Sequence, residues 1–166
     1  KHKYPGHSDY PVHAQLDLNE DASISAFVQN LKDKFGLGSI KVFINNAGVY
    51  FDKYDDEANS LTWKVNYVQT KKLTEAILAS GVLDSHAKII TVSSMLGKVS
   101  WLKDCNPTFY QKFSNYKSLT LQEIDQYAEI LASELVDGKE SKKNWPVMYN
   151  CSKLWVNLWT SALGRA

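Results

Sequence analysis

Residues Ile40-Lys41-Val42-Phe43-Ile44 place the strongest limit on what this chain can fold into. The run is short, nearly all apolar, and rich in β-branched and aromatic side chains. Gly36 and Gly38 precede it, and Asn45-Asn46-Ala47-Gly48 follows it directly. Such a run between turn signals reads as a central parallel strand covered on both faces. Its neighbours supply the cover. From Val12 to Leu18 the pattern alternates, with Val12, Ala14, Leu16 and Leu18 on one side, which predicts a strand buried on one face. Asn19 to Asp21 then offer cap groups to a helix with Ile24, Phe27, Val28, Leu31 and Phe35 at helical spacing, ended by Gly36. A second helix is predicted over 56–80, with Leu61, Val65, Val68 and Leu73 inward and Gly81 beyond its end. Ala87 to Val92 reads as another buried strand. Strands alternating with helices predict an α/β fold with a parallel sheet.

Residues 98–145 break this rhythm with a helical insertion. Asn106-Pro107 opens a short helix by the cap-then-proline rule. Thr120-Leu121-Gln122-Glu123 is a capping box, followed by Leu121, Ile124, Ala128, Leu131 and Leu135 on one stripe and Gly138 after it. The last helix starts near Trp145-Pro146 and runs through Leu163. The whole of residues 1–166 reads as one domain.

Composition narrows the function classes. Nineteen Lys and Arg stand against 18 Asp and Glu, a formal net charge of +1. No basic stripe points to nucleic acid, and no apolar run approaches the roughly 20 residues of a membrane span. Cys105 and Cys151 suit a reducing compartment better than a stapled secreted fold, so a cytoplasmic location is expected. His2, His7, His13 and His86 lack metal-ligand spacing, and no metal is expected. The chain has no initiator Met and stops at Ala166 inside an apolar-periodic segment, as a piece of a longer protein would.

Four features carry chemistry, each with a plainer reading beside it. Asn45-Asn46-Ala47-Gly48 follows a central strand, where small residues let a ligand approach the backbone; alone it reads more readily as a polar turn. Ser93-Ser94 holds the same place after the next strand, where serine pairs are common. Tyr149 and Lys153, four apart on a helix, are neighbours on one face. The ammonium favours a phenolate and makes the phenol a usable proton donor near neutral pH, although a solvated surface pair has the same spacing. Asn66 is a polar amide in an otherwise apolar helical stretch and must find partners, in a core network or in a water relay.

In this order and after these elements, the four features resemble the short-chain dehydrogenase/reductase family. That family's pattern is an Asn-Asn-Ala-Gly turn, a helical Asn, a strand-end Ser and Tyr-x-x-x-Lys, matched by Asn45-Asn46-Ala47-Gly48, Asn66, Ser94 and Tyr149-Asn150-Cys151-Ser152-Lys153. The insertion resembles that of the carbonyl reductase branch, with echoes at Val92-Ser93-Ser94-Met95, Asp104-Cys105-Asn106-Pro107 and Trp145-Pro146. The resemblance implies an incomplete doubly wound, Rossmann-type parallel sheet. It also implies reduction of aldehydes, ketones or quinones, with NADP(H) as cofactor.

By the same resemblance, Tyr149 is the proton donor and Lys153 its assistant, which also holds the nicotinamide ribose. Ser94 binds the substrate carbonyl together with Tyr149, and Asn66 holds a relay water. Asp17 with Leu18 faces the adenine, while Asn46, Ala47 and Gly48 flank the adenosine ribose. The insertion is placed to cover the Tyr–Lys helix, so a monomer is expected. The family's Thr-Gly-x-x-x-Gly-x-Gly phosphate turn, which works through a helix N-terminus, occurs nowhere in the 166 residues. The expectation is an active parent protein and an inactive isolated fragment. The alternative is a relic or interaction domain that binds no cofactor.

Overall fold

The computed structural model describes residues 13–52, 55–136 and 145–166, with the side chains of 135 and 136 left out. Helix α1 (Asp21–Phe35) leads into strand β1 (Ile40–Asn45). Helix α2 (Asp56–Trp63) continues through a π-helical turn (Lys64–Gln69) into α3 (Thr70–Ser80). Strand β2 (Leu83–Thr91) then lies parallel to β1, in register at Phe43↔Ile89 and Asn45↔Thr91. The insertion contains α4 (Leu102–Cys105), α5 (Pro107–Ser114) and α6 (Leu121–Val136), and α7 (Met148–Leu163) follows it.

Local chemistry accounts for most of the boundaries. Gly36 and Gly81 end their helices with φ of 76° and 73°, values that favour glycine. Asn106 caps α5 by accepting from Phe109 N–H, with Pro107 in the first turn. Thr120 and Glu123 exchange the reciprocal bonds of a capping box ahead of α6. At α1 the cap is Glu20, which makes no side-chain cap bond. The helix is tied instead by Asp21, which pairs with Lys72 at 2.7 Å and accepts from Gln69.

Two apolar clusters result. One gathers Leu18, Ile24, Val28, Val65, Leu73, Ile77 and Val82 between α1, α3 and the sheet. The other packs the insertion on α7, with Phe113, Ile124, Leu131, Trp155 and Trp159 all buried.

Three expectations need correction. Residues 13–18 form no strand, and Val12 lies outside the described residues. A strand needs a ladder partner, and β1 pairs with β2 alone among the described residues. The two strands are not covered on both faces: Val42, Ile44, Ile90 and Val92 are each 42–54% exposed. Val68 points outward rather than inward. The π turn widens the helix and shifts its phase, so a spacing of 3.6 residues drawn through 56–80 fails at Val68, while Leu73 is buried as expected. Gly138 and the Leu135 side chain lie outside what is described.

Candidate active site

The site is built where the ends of β1 and β2 meet the π turn and α7. Asn45 is buried, and its amide donates to Thr74 Oγ1 at 2.8 Å, fixing the strand end to α3. The turn that follows, Asn46-Ala47-Gly48, is exposed. Beyond it the Asn66 side chain grips Val49 on both backbone groups. Val49 N–H donates to Oδ1 at 2.7 Å and Nδ2 donates to Val49 C=O at 2.9 Å. The second Nδ2 proton reaches Ser152 Oγ at 3.3 Å, and Ser152 in turn donates to Tyr149 C=O at 2.8 Å. A 2%-exposed amide is thereby satisfied.

The π turn explains why an amide can sit in that position. Thr70 Oγ1 donates to Val65 C=O across the widened turn at 3.0 Å. Asn66 and Tyr67 are then buried side by side, one toward α7 and the Val49 backbone, the other toward Asp125 of the insertion. Burial, reinforced by Asp125, holds the Tyr67 phenol well above its usual range. It is a packing phenol.

Tyr149 and Lys153 project from the first half of α7. Lys153 Nζ stands 5.8 Å from the centre of the Tyr149 ring and donates to Val92 C=O at 3.1 Å. Burial pushes its ammonium below the ordinary lysine range. Ser94 Oγ accepts from Leu96 N–H at 3.1 Å, which directs its own proton elsewhere. No hydrogen bond joins Ser94 to Tyr149. The Tyr149 ring instead meets Tyr50 edge to face, with centres 5.1 Å apart. A Cβ at Gly48 would lie 3.1 Å from Asn66 Oδ1 and 3.6 Å from Lys153 Nζ, so glycine keeps the space between turn and ammonium open.

The structure therefore brings Gly48, Asn66, Tyr149 and Lys153 together, with Ser94 at the end of the strand that Lys153 touches. Asp17 lies apart from these contacts, exposed, with its carboxylate accepting from Asn19 N–H. Leu18 sends its side chain into the first apolar cluster. Sequence reasoning missed Tyr50, Ser152 and the Val49 backbone as members of the network. Only the position of Tyr50, two residues after Gly48, hinted at any of them. Among the described residues no group of His, Cys, Asp and Glu could hold a metal ion.

The family profile for short chain dehydrogenases matches residues 3–106. The chain belongs to the short-chain dehydrogenase family. Among its relatives, the (+)-neomenthol dehydrogenase of Capsicum annuum is 25% identical over 179 residues, covering 84% of this chain and 56% of that one. The carbonyl reductase (NADPH) 1 of Mus musculus is 26% identical over 160 residues, covering 93% and 56%. This short-chain dehydrogenase thus spans little more than half the length of those relatives. Its fold matches menthone neomenthol reductase from Mentha piperita with a TM-score of 0.76 at 23% identity, over 92% of this chain and 65% of that one. It also matches salutaridine reductase from Papaver somniferum with a TM-score of 0.75 at 23% identity, over 92% and 63%. No described helix is long and apolar enough to cross a membrane.

Proposed function

We propose that this short-chain dehydrogenase forms the catalytic part of a cytoplasmic, NADPH-dependent carbonyl reductase acting on small aldehydes, ketones or quinones. The observation that carries the reading is the Lys153 ammonium, desolvated beside the Tyr149 ring and next to Gly48 and Asn66. The name of the mouse relative, carbonyl reductase (NADPH) 1, supports it.

The residues present fit the nicotinamide and ribose portion of such a cofactor, because glycine at 48 leaves room beside Lys153 Nζ. When bound, the dinucleotide supplies a hydride to the carbonyl carbon. Lys153 would hold the nicotinamide ribose, and the exposed Asn46-Ala47-Gly48 turn would flank the adenosine ribose. Asp17 would face the adenine with the Leu18 backbone, since the Leu18 side chain is buried.

Tyr149 would give its proton to the carbonyl oxygen as negative charge develops there, and Lys153 would stabilise the phenolate left behind. Ser94, whose oxygen already accepts from Leu96 N–H, would donate to the same carbonyl oxygen. Asn66 has both amide protons taken by Val49 and Ser152. Its backbone carbonyl would therefore hold the relay water, while the side chain fixes the turn.

The test is oxidation of NADPH by the complete protein in the presence of menadione or an aromatic aldehyde. Turnover is expected, and Tyr149→Phe should reduce it by roughly 10²–10⁴, the contribution of a general acid. Near-wild-type turnover in that variant removes Tyr149 from the mechanism.

A further inference from the structure

We infer that Asn157, outside the Asn–Ser–Tyr–Lys set, is a positioning residue for Ser94, acting by clamping the strand-end loop onto the helix that bears Tyr149 and Lys153. The inference rests on the carbonyl-reductase reading above.

The loop after β2 must place one hydroxyl, Ser94, against a substrate that the phenol on α7 also reaches. Its internal bonds are short-range: Gly97 N–H donates to Ser94 C=O at 3.0 Å and Leu96 N–H to Ser94 Oγ at 3.1 Å. These give the loop a shape but do not locate it relative to α7. Three contacts do. Lys153 Nζ donates to Val92 C=O at 3.1 Å, Ser93 Oγ donates to Lys153 C=O at 3.3 Å, and Asn157 Nδ2 donates to Gly97 C=O at 2.8 Å. They bracket Ser94 on both sides along the chain. Asn157 is the shortest of the three and holds the far end of the loop.

Gly97 makes the clamp possible. It is buried, and a Cβ there would come within 2.7 Å of the Lys153 carbonyl carbon and oxygen and 2.9 Å of Asn157 Nδ2. The loop backbone therefore lies directly on the turn of α7 that carries Lys153. Asn157 sits one turn further on, at i+4 from Lys153, and is the one exposed residue of α7. A stronger helix former would suit an unclamped mid-helix position better, since asparagine is poorer there than leucine or glutamine. The bond to Gly97 is what the asparagine contributes.

The experiment compares Asn157→Leu and Asn157→Gln in the complete protein. Leucine has similar bulk and no donor; glutamine keeps the amide on a side chain one methylene longer. Both are better helix formers, but leucine leaves the Gly97 carbonyl without its donor, so a small loss of melting temperature is expected for leucine alone and none for glutamine. The leucine variant should lose about tenfold in kcat, equivalent to about 1.4 kcal/mol of transition-state stabilisation, with KM for the carbonyl changed less than about threefold. Glutamine should recover kcat to within about threefold of wild type. A readout free of turnover is amide exchange. Leu96 and Gly97 should exchange about tenfold faster in the leucine variant, while the β2 amides keep their protection. Wild-type kcat, or unchanged exchange at Leu96 and Gly97, in the leucine variant overturns the positioning role. A wild-type protein inert to every carbonyl overturns the functional reading itself, whatever the exchange data show, and the positioning role falls with it.

Discussion

Lys153 Nζ lies 3.1 Å from the carbonyl oxygen of Val92, so the helix that carries Tyr149 is bonded to the end of the strand that leads to Ser94. The bond keeps a 6%-exposed lysine charged at a cost. Burial favours its neutral form and lowers its affinity for protons below that of the unfolded chain.

The sign of the resulting pH effect follows from proton counting. Between the lowered folded-state value and the unfolded lysine value of about 10.4, the unfolded chain binds more protons, so this group's contribution to stability rises with pH. Below that window both states are charged and the full burial cost remains. Lys153→Met removes the cost and keeps the stem. Urea unfolding should find the variant at least as stable as wild type at pH 7, with the difference shrinking as the pH approaches 10. A variant that is less stable at pH 7, or whose advantage grows with alkalinity, contradicts the assignment. Its turnover should nevertheless be at least about 10²-fold lower, because Tyr149 loses its cationic neighbour.

Asn66 gives the second prediction. Asn66→Asp conserves shape but replaces the amide protons that reach Val49 C=O and Ser152 Oγ with a carboxylate oxygen. Two buried acceptors then face each other, at a cost of about 1–3 kcal/mol. Chemical denaturation at neutral pH should show that loss, and lowering the pH should recover part of it as the new carboxyl protonates. A stability equal to wild type at neutral pH would mean that the grip on Val49 is incidental.

These residues also mark how far the sequence could be read. Asn106-Pro107, Thr120 with Glu123, and Gly81 were legible because each acts within three or four residues of itself. Tyr149 and Lys153 were legible for the same reason, as one helical turn. Val68 was misread because the π turn changes the helical period without an obvious signal in Val65-Asn66-Tyr67-Val68. The exposure of Val42 and Ile44 was not legible, because a strand's own residues do not reveal what stands beside it. Asn157 was invisible for a related reason. Its partner is a backbone carbonyl sixty positions away, and a carbonyl carries no residue identity.

The insertion yields a third prediction. Trp155 is fully buried and meets Trp63, Phe113 and Trp145 edge to face, with ring centres 5.6, 5.2 and 5.8 Å away. It therefore joins α2, α5 and the start of the α7 segment in a single aromatic cluster. Trp155→Ala should cost about 3–5 kcal/mol, the range for deleting a large buried ring. By contrast, Asp125→Asn removes the Lys71–Asp125 ion pair, 2.7 Å long but partly exposed, and should cost less than about 1 kcal/mol. Equal effects from the two changes would mean that charge, rather than aromatic packing, fastens the insertion.

The same packing bears on assembly. A stable dimer usually buries about 800 Å² of each partner, with an apolar centre. Within α7, residues 148–163, only Asn157 is exposed. The apolar face that a partner helix would need is already taken by Phe113, Ile124 and Leu131 of the insertion, against Trp155 and Trp159. To dimerise through α7 the chain would first have to expose that cluster to water, at about 25 cal/mol for each Å² uncovered. A second copy offering the same surfaces returns no more than it displaces. Light scattering of the complete protein should therefore give the mass of one chain across the micromolar range. The monomer expectation fails if a stable dimer is found in that range.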